Sequence, residues 1–165
     1  MKVSFDFDST LSRKCVQDYA QELIFRGFEV HIVTSRFEKA ALNRSNSYNN
    51  ADLFGVAERL GIPKERIHFT NGTNKSGFFK ENPDFLFHLD DDFLELEDIQ
   101  RTSKIKAISC WTNPNWIKKC ARVIIKLIGS ELRKEWEDMF KNYHSKGEDE
   151  LTIPDFIDLE SDRFL

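Results

Sequence analysis

Five short apolar runs alternate with segments of helical periodicity across the first 110 residues, and this alternation restricts the chain to a few layered α/β architectures. The runs at 3–7, 28–34, 66–70, 85–89 and 105–110 are rich in Val, Ile and Phe and read as strands. Between them lie four predicted helices. The first spans 14–26, with Val16, Tyr19, Ala20 and Leu23 on one face and Gly27 at the cap position. The second spans 52–60, with Leu53, Val56, Ala57 and Leu60 aligned and Gly61 and Pro63 closing it. Shorter helices are expected at 76–81 and 94–100. Strand–helix–strand units connect by right-handed crossovers, so the expected fold is α/β: a Rossmann-like three-layer sandwich with a mainly parallel five-stranded sheet, followed by C-terminal helices. In such sheets ligands bind beyond the carboxyl ends of the strands.

The expected domain runs over residues 1–145. Its last part, from Trp116 to about Tyr143, reads as two helices broken near Gly129-Ser130 and studded with Lys118, Lys119, Arg122, Lys126, Arg133 and Lys134. A solvated face with lysine stems lying over the core explains that basic stud better than a binding patch. Residues 146–165 form an acidic tail in which Ile153, Phe156, Ile157, Leu159 and Phe164 interleave with carboxylates, so the tail packs on its own domain or on a protein partner. A net charge of -4 removes the electrostatic case for general nucleic-acid binding over the whole surface. No apolar run approaches membrane-spanning length, and the N-terminus enters a strand pattern directly. Cys15, Cys110 and Cys120 form no paired motif and read as reduced thiols, which suits the cytoplasm.

The expected strand ends carry the chemistry. The first gives Asp6-Phe7-Asp8-Ser9-Thr10; if the strand reaches Phe7, Asp6 and Asp8 leave on the same side. Ionised carboxylates at a buried strand end need a cation or a wet cleft, and hard oxygen ligands at this density suit Mg²⁺. The second strand ends Thr34-Ser35-Arg36, hydroxyls and a guanidinium where an anion would sit. The third is followed by Asn71-Gly72-Thr73-Asn74-Lys75, a polar turn that delivers an ammonium near a helix start. The fourth ends Asp90-Asp91-Asp92, of which Asp92 suits a helix cap. Without a metal these carboxylates would repel one another.

In order, Asp6-Phe7-Asp8-Ser9-Thr10, Thr34, Lys75 and Asp90-Asp91 resemble the four motifs of the haloacid dehalogenase superfamily, over roughly the first 110 residues. Lys80 also lies upstream of the acidic cluster; Lys75 is preferred because it sits in the polar turn. The resemblance implies a phosphatase-type enzyme, since dehalogenases and phosphonatases lack the second aspartate. Asp6 would be the nucleophile that forms an aspartyl-phosphate, and Asp8 the general acid and base. Thr34 and Lys75 would contact the transferring phosphoryl group, with Ser35 and Arg36 as substrate-binding residues. Mg²⁺ would be held by Asp6, the backbone carbonyl of Asp8 and an acid from Asp90-Asp91, either of which can be the direct ligand.

Specificity in this superfamily usually comes from a cap, and neither the stretch before Thr34 nor the polar, Asn- and Ser-rich loop at 36–50 has room for a folded one. The expected site is therefore open. Arg36, Asn43, Arg44 and Tyr48 could grip a substrate from that loop. The Thr34-Ser35 pair with the double acid resembles the deoxyribonucleotidases, and Ser35-Arg36 resembles polynucleotide phosphatase domains. The expected activity is a Mg²⁺-dependent phosphomonoesterase acting on a nucleotide, another phosphorylated small molecule or a nucleic-acid end. The competing class is a non-enzymatic binding or regulatory module that keeps the fold and contacts a partner through its acidic tail.

Overall fold

A computed structural model of the chain describes residues 1–39, 50–111 and 114–126. They form β1 (Lys2–Phe5), α1 (Lys14–Phe25), β2 (Glu29–Thr34), α2 (Ala51–Leu60), β3 (Ile67–Phe69), α3 (Lys75–Glu81), β4 (Phe85–Asp90), α4 (Phe93–Thr102), β5 (Lys106–Ser109) and α5 (Trp116–Ile125). All of these elements lie in one unit, Met1–Leu127. The expected break near Gly129-Ser130, the acidic tail and the loop residues Asn43, Arg44 and Tyr48 fall outside the described residues.

The sheet is parallel throughout, in the order β3-β2-β1-β4-β5. The chain steps outward from β1 to β2 and β3, returns past β1 to form β4, and steps outward again to β5. The direction of winding therefore reverses between β1 and β4, which opens a crevice at their carboxyl ends. α1 packs with α2 and, through the perpendicular rings of Tyr19 and Trp116 5.2 Å apart, with α5. α3 and α4 pack together over the other side, where Phe79 and Ile99 cluster with Val33, Phe85 and Ile105. Helices thus cover the sheet on both faces.

One irregularity decides which β4 side chains look toward α3. β1 pairs Lys2 with Phe85 but Ser4 with His88, so β4 carries an extra residue and the strand switches faces across it. Phe85 and His88, three positions apart, both meet the Phe79 ring of α3, at 5.7 and 4.8 Å. Phe87 turns to the opposite face and packs edge-on against Phe5, which meets Tyr19 of α1. From His88 the alternation carries Asp90 to the α3 side.

The helix ends follow local chemistry. α1 stops where Gly27, at φ +82°, lets its own N–H reach Ile24 O at 2.9 Å and Phe28 N–H reach Leu23 O at 3.0 Å, a conformation that strains residues with a Cβ. Asp92 caps α4 as expected, its Oδ1 accepting from Leu94 N at 2.9 Å and Glu95 N at 3.4 Å. α5 buries Trp116, Cys120, Ala121, Ile124 and Ile125, while Lys119, Arg122 and Lys126 are exposed, which fits the solvated-face reading for that segment. Among the described residues no helix is long and apolar enough to cross a membrane.

His31 of β2 and His68 of β3 are joined by a 3.0 Å ring–ring hydrogen bond on the sheet, and His31 packs edge-on to Phe85. Burial pushes the His31 pKa down to about 4, and the nearby His68, Arg66 and Lys2 charges push the same way against Glu29. The unfolded chain takes up this proton near the ordinary histidine value and the folded one resists it. The His31 contribution to stability should therefore be lost as pH drops from about 6.5 to about 4. Urea unfolding of wild type and His31→Leu across that window should show the variant gaining midpoint relative to wild type as pH falls; a constant difference would show that His31 does not contribute to the pH dependence.

Candidate active site

β1 stops at Phe5, two residues short of expectation. Asp6 N still donates to Leu89 O at 2.8 Å, but the chain then enters a wide turn closed by Leu11 N to Asp6 O at 3.0 Å and Ser12 N to Phe7 O at 2.9 Å. Ser9 takes a left-handed conformation inside the turn. Strand alternation therefore does not relate Asp6 to Asp8. Asp6 points into the protein with 4 % of its surface exposed, and the Asp8 side chain is 56 % exposed. The physical reason is the turn itself, which needs extended, left-handed and helical residues in succession and so ends the pleat.

Lys75 comes to Asp6 through the third crossover, from β3 to β4. The turn after β3 is locked by reciprocal hydroxyl-to-carbonyl bonds between Thr70 and Thr73, at 2.6 and 2.7 Å. It is tied to the end of β2 by Thr70 N to Thr34 O, Gly72 N to Ser35 O and Asn71 N to Arg36 O, at 2.9, 2.8 and 3.2 Å. Gly72 has φ +79°, and a Cβ there would lie 3.0 Å from the Phe37 ring. So held, the turn delivers Lys75 as the first residue of α3, 2 % exposed, with its N–H on Glu95 Oε2 at 3.0 Å. Its ammonium donates to Asp6 Oδ1 at 2.8 Å and to Asp90 Oδ2 at 2.6 Å. Lys80, the competing candidate, is exposed later in the same helix.

Asp90 ends β4 at 1 % exposure. Besides Lys75, its Oδ2 meets His88 Nε2 at 3.0 Å, and its Oδ1 accepts from Asp92 N at 3.0 Å. Asp91, part-exposed, accepts from the Thr10 hydroxyl at 3.2 Å. Asp6, Asp90 and Asp91 each offer a carboxylate oxygen within 4.8 Å of the others. Three acids against one ammonium leave an excess of negative charge. Burial pushes the Asp6 carboxyl up to about 7, Lys75 pulls it down, and Asp90 adds to the rise. Burial would also raise Asp90, but the His88 hydrogen bond and the Lys75 ammonium outweigh it and hold the group below the usual carboxylate range. Burial and the neighbouring Asp90 raise Asp91. A hard, oxygen-liganded cation fits this donor set, because it would offset the charge that Lys75 leaves over.

The second strand end is arranged differently. Thr34 is fully buried at the end of β2, and its hydroxyl accepts from Arg36 N at 3.3 Å. Ser35 is exposed. Arg36 grips Asp8 through Nε and Nη2 at 2.8 and 2.6 Å, and Asp52 at the start of α2 through Nη1 and Nη2 at 2.7 and 2.9 Å. Its guanidinium carbon also lies 4.7 Å from the centre of the Phe7 ring. The guanidinium expected to receive an anion therefore holds two carboxylates of its own chain.

The site thus gathers Asp6, Lys75, Asp90 and Asp91 in one cluster, and links Asp8 to Arg36 beside it. Thr10 of the first motif also takes part, and so do Ser4, Asp52, His88 and Glu95, to which the sequence reading gave no role. His88 left a trace: a polar residue two positions before Asp90 in a buried strand shares its face. No family model matches the chain, and no curated protein or solved structure matches it.

Removing the ammonium leaves two buried carboxylates without their partner. Lys75→Met should lower the unfolding free energy by about 3–5 kcal/mol, and Lys80→Met should change it by less than about 0.5 kcal/mol. Thermal or urea denaturation of the two variants checks this; comparable losses would show that the ammonium between the acids is not special.

Proposed function

We propose that this chain is a phosphomonoesterase of haloacid dehalogenase type that works with Mg²⁺ through an aspartyl-phosphate. The observation that carries this reading is the buried Lys75 ammonium bridging Asp6 and Asp90 at the point where the sheet reverses its winding. A carboxylate next to an ammonium and within reach of two more acids suits attack on phosphorus better than a structural role, which one ion pair would meet.

In the proposed reaction an Asp6 carboxylate oxygen forms a bond to phosphorus while the bond to the leaving oxygen breaks, and Asp8 gives that oxygen its proton. Asp8, now a carboxylate, takes a proton from water as the water oxygen attacks the acyl-phosphate, which releases phosphate and restores Asp6. Lys75 and the Thr34 hydroxyl would stabilise the charge on the transferring oxygens. Asp6, the Asp8 carbonyl and Asp90 or Asp91 would hold the metal, which when bound supplies charge neutralisation and polarises a phosphoryl oxygen. Substrate entry would require Arg36 to exchange Asp8 for the phosphate, which frees Asp8 for proton transfer and makes Arg36 and Ser35 substrate contacts.

The substrate class we favour is a nucleotide or a polynucleotide end, reached through an open site, in the cytoplasm, where the thiols of Cys15, Cys110 and Cys120 stay reduced. One observation favours a second reading, a non-enzymatic binding or regulatory module: the bidentate Arg36 contact holds Asp8 away from the cluster.

Phosphate release from p-nitrophenyl phosphate separates the two. The wild type should turn over with Mg²⁺ and stop with EDTA, and Asp8→Asn should lower kcat by about 10²–10⁴-fold. Asp6→Asn should abolish turnover; equal rates in wild type and Asp6→Asn would sink the aspartyl-phosphate mechanism. Metal binding with no turnover on nucleotides, sugar phosphates or phosphorylated DNA ends would favour the module.

A further inference from the structure

Behind Asp90 lies a buried polar chain that the proposed reaction does not use. His88 is fully buried on β4, against the Phe79 ring, on the face that looks toward α3. Its Nε2 lies 3.0 Å from Asp90 Oδ2, and its Nδ1 lies 3.0 Å from the Ser4 hydroxyl of β1. The Ser4 oxygen is also 3.3 Å from Phe87 O, so its single proton has two possible acceptors.

The donors and acceptors around the ring restrict its protonation. A carboxylate oxygen can only accept, so His88 Nε2 must carry the proton that points at Asp90. A neutral ring then has a bare Nδ1, and the Ser4 hydroxyl, at the shorter of its two distances, donates to it. The opposite tautomer would set a nitrogen lone pair against the Asp90 carboxylate and leave the buried Nε2 without a partner. Asp90 is thereby held on three sides, by His88, by Lys75 and by the Asp92 N–H. One of its carboxylate oxygens lies within 4.8 Å of oxygens from Asp6 and Asp91.

We infer that His88, itself oriented by Ser4, is a positioning residue that fixes Asp90 as an oriented, hydrogen-bonded acid for the cation site; the inference rests on the metal-dependent phosphatase reading. The pair acts through Asp90 and does not touch substrate. Histidine suits the task because a neutral Nε2–H donor adds no charge. Ser4 completes the device by donating to the buried Nδ1, which would otherwise be left without a partner.

Two measurements on the full chain test this. In the wild type, long-range ¹H–¹⁵N spectra of ¹⁵N-histidine-labelled protein should show His88 neutral with the proton on Nε2. Titration with Mg²⁺, followed by calorimetry and by the Mg²⁺ dependence of p-nitrophenyl phosphate turnover, should show His88→Leu raising the Mg²⁺ Kd by about 10–100-fold. His88→Gln, whose amide can donate to Asp90, should recover most of that loss, and Ser4→Ala should lose affinity while folding normally. An Nδ1–H tautomer, an unchanged Kd in His88→Leu, or a glutamine variant no better than leucine would each overturn the inference while leaving the phosphatase reading intact. A wild type that binds no Mg²⁺ and releases no phosphate would instead sink that reading, and the inference with it.

Discussion

A single ammonium between two buried carboxylates is what the rest of this site hangs on. Asp6, Lys75 and Asp90 come from three separate elements and are each almost wholly enclosed. Burying any one of them alone would cost several kcal/mol, and their mutual attraction offsets this only with short contacts and satisfied hydrogen bonds. Those conditions are met by the Lys75 contacts, by His88 and by the amide of Asp92. The turn after β3 and the register shift in β4 can both be understood as serving that geometry. One brings the ammonium in at the first residue of α3, and the other brings His88 and Asp90 onto the face toward which it points.

The two halves of the site differ in character. Around Lys75 the charges are enclosed and their positions over-determined. Around Arg36 the acids it grips are more than half exposed, so water reaches these pairs and weakens them relative to the enclosed ones. A rigid interior beside a labile rim is the distribution expected where one part must stay preorganised and another must yield to an incoming group.

Much of this was legible in the residues. Strand and helix positions followed from periodicity, because fully buried parallel strands leave continuous apolar runs and α1 and α2 keep one-sided apolar faces. The choice of Lys75 over Lys80 followed from its place in a polar turn after a strand. What escaped was set by backbone detail at single positions. The end of β1 moved from Phe7 to Phe5 because the Asp6-to-Leu11 stretch closes a turn whose left-handed residue is a serine, which carries no glycine-like signal. Arg36 resembled an anion receptor, and its engagement with Asp52 depends on where α2 begins across the loop. His88 hid in an apolar run whose phase is altered by the extra residue in β4. Residues 40–49 and those beyond 126 lie outside the described structure, so the loop and tail expectations stand as they were made.

The central place of β1 in the sheet governs the order in which the protein can come into being. Its partners on one side follow closely, while Lys75 is 69 positions from Asp6 and His88 is 84 from Ser4. A chain emerging from the ribosome can therefore pair β1 with β2, and β2 with β3, well before the residues of β4 exist. Until they arrive, β1 presents an open edge, and Asp6 and Ser4 have neither their cation nor their histidine. Docking of β4 closes that edge and completes the charge cluster in one step. Assembly of the sheet and assembly of the site are the same late, long-range event, the kind of closure that makes folding slow.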